Sequence, residues 1–248
     1  MTGMRALLFR EWKLFSRSKL DIGMSLMMPI ILLFFFATNM SGLLGEVNGV
    51  PYGQFVIPGI ALMASMTSAA QASTRTFNER YGNILPELLS MPASKPSYIA
   101  SKISATTLLA SVQGMIFFFG GILLFRIPIE LKGALLSLVG IILSTWGLVS
   151  LFLCFALLMK DMQIFLTITN LAAQIFIYTS TVFYPSETMP EVLKWMSVVN
   201  PLSHGANLLR SALYDVPGQA SWIYMLVFTL LFGGITIGLL SKQQKSLI

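Results

Sequence analysis

The chain of 248 residues is 55% hydrophobic and 10% charged, with 16 Lys and Arg against 10 Asp and Glu, a net charge of +6 and a mean hydropathy of +0.77. Soluble domains carry about 25% charged residues, so this composition excludes a water-facing surface of that size and makes the bilayer the natural solvent. The single cysteine, Cys154, excludes an internal disulfide and a cysteine-rich metal site, and within its apolar run it reads as a small buried hydrophobe.

In chain order, residues 1–21 come first and carry Arg5, Arg10, Lys13, Arg17 and Lys19. At about 100° per residue, Met4, Leu7, Leu8, Trp12, Leu14 and Phe15 fall on one arc, with Arg10, Lys13 and Arg17 opposite. A basic amphipathic helix of this kind lies in the cytoplasmic interface, either as an anchor for the first span or as a docking element. No small-residue cleavage site follows closely, so the first apolar run reads as a retained helix.

Six apolar runs reach spanning length, at 22–40, 54–74, 99–125, 133–159, 162–184 and 222–240. The expected fold is therefore an all-α membrane protein with six transmembrane helices in residues 22–240, followed by a tail at 241–248. Lys160 and Asp161 alone separate the fourth run from the fifth, which predicts a tight helical hairpin. Placing the N-terminus inside puts Arg5, Arg10, Lys13, Arg17, Lys19, Arg75, Arg80, Lys95, Lys102, Lys160, Lys242 and Lys245 on the cytoplasmic side. Only Arg126, Lys132, Lys194 and Arg210 fall outside, so the positive-inside rule sets both termini in the cytoplasm. The net charge reflects this topology and not a nucleic-acid partner, because the basic stretches have few interleaved aromatics.

Between the second and third runs, residues 75–97 read RTFNERYGNILPELLSMPASKPS. Ile84, Leu85, Leu88 and Leu89 share one face of a short helix that Pro92 and Pro96 stop. That face needs a cover, either the lipid interface or a cytoplasmic partner. On the other side, residues 185–221 are too apolar for an ordinary loop yet are broken by Pro190, Pro201, Gly205 and Pro217. Two short re-entrant helices dipping into the outer leaflet fit this pattern. His204 within it reads as a hydrogen-bonded structural residue.

The sequence contains no GxxxxGK[ST] phosphate loop and no GxSxG elbow, and its one histidine excludes the multi-histidine zinc motifs. No metal site and no catalytic group is expected. No Asp, Glu, Lys or Arg lies centrally in a run, which disfavours an ion relay. Gly234 and Gly238 form a GxxxG pair, read as a site of close helix packing.

Three patterns combine. Glu79, Arg80, Gly82, Leu85, Leu88, Leu89 and Pro92 resemble E-[RK]-x-G-x-[LI]-x-x-L-x-x-x-P, with one residue more between Gly82 and Leu85; Pro58 and Gly59 form a PG pair in the second run, read as a kink in that span. Phe183, Pro185, Pro190, Asn200, Pro201, Leu202, Leu209 and Arg210 follow an FxP…MP…NPL…LR order. Over nearly its whole length the chain thereby resembles the membrane subunit of ABC-2 type exporters, a permease family that includes drug, nodulation-factor and polysaccharide exporters. The NPLSH wording leans towards the nodulation type.

The resemblance implies a half-transporter that is not itself an enzyme. Two such permeases, copies or paralogues, would each pair with a separate cytoplasmic ABC ATPase subunit. ATP and magnesium would reside in that partner, leaving no cofactor in this chain. The segment Glu79 to Pro92 would be the coupling element, with Leu85, Leu88 and Leu89 as buried anchors and Glu79 and Arg80 as orienting contacts at the rim. The N-terminal helix would flank the same contact. The implied setting is a bacterial or archaeal cytoplasmic membrane, with lipids around the chain and an amphiphilic, drug-like or lipid-linked glycan substrate moving outward. Two other classes stay open: a non-transporting membrane scaffold, and an ion-coupled transporter or channel, which would need a central ionisable residue or an internal repeat.

Overall fold

A computed structural model describes residues 9, 13, 19–36, 45–47, 49–81, 95–214 and 217–245. Most of the N-terminal amphipathic segment, and Gly82, Leu85, Leu88, Leu89 and Pro92 of the coupling pattern, lie outside the described residues.

The described chain is almost wholly helical: α1 (Lys19–Phe35), α2 (Tyr52–Tyr81), α3 (Lys95–Leu124), α4 (Leu131–Leu158), α5 (Met162–Tyr178), α6 (Glu191–Val198), α7 (Pro201–Tyr214) and α8 (Gln219–Lys245). The exceptions are a 3-10 turn at Ser186–Thr188 and a hairpin of two-residue strands, β1 (Glu46–Val47) and β2 (Val50–Pro51), which pairs Glu46 with Pro51 and Val47 with Val50. Gly49 at φ 77 supplies the left-handed backbone of that turn.

Four helices are long and apolar enough to cross a membrane by length and composition: Tyr52–Tyr81, Ser101–Leu124, Leu131–Leu158 and Gln219–Lys242. Leu26–Phe35 and Met162–Tyr178 are apolar but shorter. The outside of the molecule is apolar, with Leu123, Leu131, Ile223, Leu230 and Leu231 all more than half exposed. A water-soluble chain would not leave such a continuous surface uncovered.

Helix α2 forms the core. Small and apolar residues surround it on every side between Phe55 and Ala69, so α1, α3, α4 and α7 can all pack against it. It runs past the expected end at Thr74 through Tyr81, because no Gly or Pro interrupts residues 71–81 and Phe77 finds an aromatic partner in Phe165 of α5, centroids 4.9 Å apart. Hydroxyls in this stretch bond back one turn, Ser73 Oγ to Ala69 O at 2.8 Å and Thr76 Oγ1 to Ala72 O at 3.2 Å, and so need no water.

The hairpin between α4 and α5 is as tight as the sequence predicts: residues 159–161 separate the helices, and Asp161 Oδ1 accepts from Ile164 N at 2.9 Å to cap α5. Helix α5, expected to reach Tyr184, stops at Tyr178. Thr181 N, which a continuing helix would bond to Ile177 O, donates instead to Ser203 Oγ at 3.0 Å, and Ser180 Oγ donates to Ile177 O at 2.8 Å. Helix α8 lies along α4, where Thr229 and Thr236 donate to the carbonyls of Leu143 and Ser150. Cys154 is buried there, its Sγ 3.0 Å from Thr236 Oγ1. Nothing among the described residues lies within 4 Å of a Cβ placed on Gly234 or Gly238, so that pair serves no close packing among them.

Candidate functional site

The proline and asparagine residues of the 185–221 segment set its local structure. Pro185 accepts through its carbonyl from Thr188 N and Oγ1 at the 3-10 turn, and Pro190 stands directly before α6. Asn200 and Pro201 start α7. The Asn200 Oδ1 accepts from Leu202 N at 2.8 Å, while Pro201 takes the first helical position, where its missing N–H costs nothing.

Asn200, Ser203, Asn207, Arg210 and Tyr214 follow one another at spacings of three and four, which aligns them along one face of α7. That face turns inward, onto the break after α5 and the first turn of α2. Asn200 Nδ2 donates to Phe176 O at 2.8 Å and Thr179 Oγ1 at 2.9 Å. Ser203 Oγ accepts from Thr181 N at 3.0 Å. Asn207 Oδ1 accepts from Arg210 Nη1 at 2.9 Å.

Arg210 is the centre of this row, 6% exposed and bonded to oxygens that carry no formal charge. Its Nε and Nη2 donate to Phe55 O at 3.2 and 3.1 Å; Nη2 also reaches Thr181 O at 2.8 Å and Val182 O at 3.1 Å. The guanidinium keeps its proton under all ordinary conditions, and its charge is met by carbonyl dipoles and by the Phe55 ring, 3.7 Å from the guanidinium carbon to the centroid.

Pro58 explains why carbonyls are available there. A proline inside a helix gives no N–H to residue i−4, here Gln54, and its ring pushes the preceding carbonyls off the ladder. Tyr214 Oη donates to Gln54 O at 3.2 Å, and Arg210 takes the next carbonyl, Phe55 O. Gly59 permits the closeness: a Cβ on it would lie 2.5 Å from Val182 Cγ1 and 2.9 Å from Val182 Cα. Tyr52 completes the join by donating from its buried Oη to Phe183 O at 2.9 Å. The PG pair and the NPL…LR pattern, far apart in sequence, thus form one assembly. Beside it a cavity of about 300 Å³ is lined by Thr181, Glu187, Asn207 and Arg210 among others.

His204 sits at the edge of that row, one turn after Asn200. Its Nε2 lies 2.7 Å from Val198 O and must donate there, Nδ1 is 3.4 Å from Ser221 Oγ, and the ring stacks on Tyr224 with centroids 3.8 Å apart. It joins α6, α7 and α8, as a structural histidine does.

At the other end of the bundle, Glu79 and Arg80 turn into the protein and not towards an exposed rim. Glu79 accepts from Lys102 Nζ of α3 at 2.7 Å, the two side chains 9% and 3% exposed. Arg80 Nη1 lies 3.1, 2.6 and 3.0 Å from the carbonyls of Ala156, Leu157 and Met159, and Tyr81 Oη adds a bond to Met159 O at 3.1 Å. These carbonyls close the end of α4, where a helix lacks donors of its own and its dipole favours a cation. Lys102 and Tyr214 were not distinguished by sequence motifs; Tyr214 could have been found from the polar spacing on α7, whereas Lys102 leaves no such trace.

The profile of the family described as ABC-2 type transporter matches residues 2–214, a stretch that contains both assemblies. Nodulation protein J of Sinorhizobium fredii (strain NBRC 101917 / NGR234) is 22% identical over 237 residues, covering 88% of this chain and 84% of that protein. The putative transport permease ycf38 of Porphyra purpurea is 24% identical over 163 residues, covering 64% of this chain and 55% of that protein.

Proposed function

The chain belongs to the ABC-2 type transporter family, and from that membership we propose that it is the membrane subunit of an ATP-driven exporter, working with a separate cytoplasmic ATPase and a second permease copy or paralogue. The observation that carries the reading is the extent of the family match, which includes the 79–92 segment as well as the Pro58 and Arg210 assembly. The apolar exterior and the permease name of one relative support it. The substrate class is an amphiphilic, drug-like or lipid-linked glycan molecule moved outward; the name nodulation protein J belongs to the relative and is consistent with a glycan.

In this reading α1 and α5 complete six spans. The 17 residues of α5 rise about 26 Å, and the chain from Thr179 onward makes up the remaining depth of a core about 30 Å thick. Helices α6 and α7 are re-entrant. Both ends of α7 are tied to the same end of the bundle, Asn200 to the end of α5 and Tyr214 to the start of α2, and its 14 residues rise only about 21 Å. Both termini are cytoplasmic, in a bacterial or archaeal inner membrane, and the leucines of 85–89 bind the ATPase.

Affinity purification of the tagged chain from its native membrane tests this. An ABC ATPase should co-purify, and amphiphiles should stimulate its ATP hydrolysis; purification without any ATPase leaves a scaffold role instead.

A further inference from the structure

Helix α2 is fastened in two directions at the end that leads into residues 82–94. In one direction the buried Glu79–Lys102 pair ties it to α3, the helix on the far side of the same segment. In the other, Arg80 and Tyr81 bind the carbonyls that close α4, and Phe77 stacks on Phe165 of α5 across a small cluster with Ala156. The α4–α5 turn is thereby attached to α2 by side chains alone, although some 75 residues of chain separate Arg80 from it.

These contacts resist being parted. Separating a buried ion pair leaves each charge in surroundings that solvate it poorly. Withdrawing Arg80 leaves several carbonyls at the end of α4 without that donor. A packed interface of this type shifts as a body and does not stretch.

We propose that Glu79, Lys102 and Arg80 are positioning residues that join the inner ends of α2, α3 and the α4–α5 turn into one mechanical unit, so that a push on residues 82–94 is delivered to that turn. The proposal rests on the reading of the chain as an ATP-driven permease. The ATPase then has no need to touch the α4–α5 turn: Arg80 carries the displacement across. From the turn, α5 leads to the far end of the bundle, where Asn200 holds the Phe176 carbonyl in its last turn to α7. Arg80 thus acts through the backbone of α4, and Lys102 acts through Glu79.

The test uses the complete complex with its ATPase in lipid nanodiscs, in a Cys154→Ala background. An environment-sensitive fluorophore is placed either at Lys95→Cys, at the start of α3, or at the exposed Lys160→Cys, in the α4–α5 turn, and its emission is followed on addition of ATP and vanadate. Both labels should respond in the otherwise unchanged chain. Arg80→Gln should reduce the response at 160 at least fivefold and leave that at 95, a selective loss that general misfolding would not produce. Arg80→Lys, which keeps the charge but loses the fork, covers the case in which Arg80→Gln does not fold; it should reduce the response at 160 by a smaller factor, again sparing 95. Glu79→Gln/Lys102→Met removes both charges of the pair, and should reduce the response at 160 relative to that at 95. An undiminished response at 160 in Arg80→Gln or Arg80→Lys overturns the proposal, as does a response at 95 but not at 160 in the unsubstituted chain, with the permease reading intact. No response at either position overturns that reading, and the proposal with it.

Discussion

Arg210 donates twice to the carbonyl of Phe55 while its guanidinium lies 3.7 Å from the centroid of the same residue's ring. Backbone and side chain of one residue therefore hold a cation that arrives from 155 positions further along the chain. The first consequence concerns stability. Arg210→Met strands the carbonyls of Phe55, Thr181 and Val182, and an unsatisfied buried group costs about 1 to 3 kcal/mol. The expected loss is about 1 to 3 kcal/mol, seen as a drop in the thermal midpoint of the purified protein. Arg210→Lys, lacking the planar fork, should recover less than half of it. An unchanged midpoint in both variants contradicts the assigned network.

Tyr214 and Pro58 should be coupled. Tyr214→Phe removes the donor to Gln54 O and should cost about 1 kcal/mol. Pro58→Ala restores a helical N–H to that carbonyl, so Tyr214→Phe should cost less in a Pro58→Ala background. Equal costs in the two backgrounds, measured by denaturant or heat, rule out the shared carbonyl.

Gly59 is expected to tolerate no side chain. Gly59→Ala should cost about 1 to 3 kcal/mol through overpacking, and Val182→Ala should relieve only part of that cost, because Val182 Cα and Cβ, each 2.9 Å from the added Cβ, remain. The measurement is the same thermal midpoint, taken for both single variants and the double.

The orientation is tested by single cysteines in a Cys154→Ala chain. A membrane-impermeant reagent should label Asn48→Cys and Gln219→Cys from outside and spare Ser94→Cys and Gln244→Cys. External labelling of Ser94→Cys reverses the assignment of sides.

Leucines 85 and 88 carry the last prediction. Burying one leucine contributes about 1.5 to 3 kcal/mol, so Leu85→Ala/Leu88→Ala should release the ATPase during purification without impairing membrane insertion. Full co-purification, with unaltered stimulation of ATP hydrolysis, would assign those leucines to the lipid surface instead.

Much of the architecture was legible in the sequence for simple reasons. Proline sets where a helix can start, so Pro190 and Pro201 announced the two short helices, and Lys160–Asp161 announced the hairpin. Hydropathy located the long helices but not their ends. Helix α2 outruns its apolar window because Glu79 and Arg80 are polar yet find partners inside, and α5 falls short because a hydropathy average does not register Ser180 and Ser203, whose hydroxyls take the Ile177 carbonyl and the Thr181 N–H that the next helical bond would join. The Arg210 site was the least legible part. Motif reading singled out the arginine but not its role, since most of its partners are main-chain oxygens and a carbonyl has no letter in the sequence. Lys102 is similar, because one lysine near the end of an apolar run looks like an ordinary cytoplasmic anchor.

The oxygens around Arg210 have a further consequence, for the acidity of the medium. A salt bridge to Asp or Glu would lose its anion as the pH falls through the carboxylate range. The carbonyls of Phe55, Thr181 and Val182 cannot take up a proton in that range, nor can the amide of Asn207, and arginine does not give one up. The join between α2, α7 and the end of α5 is therefore expected to hold equally well in acidic and neutral surroundings, so the proton is the wrong signal for opening it.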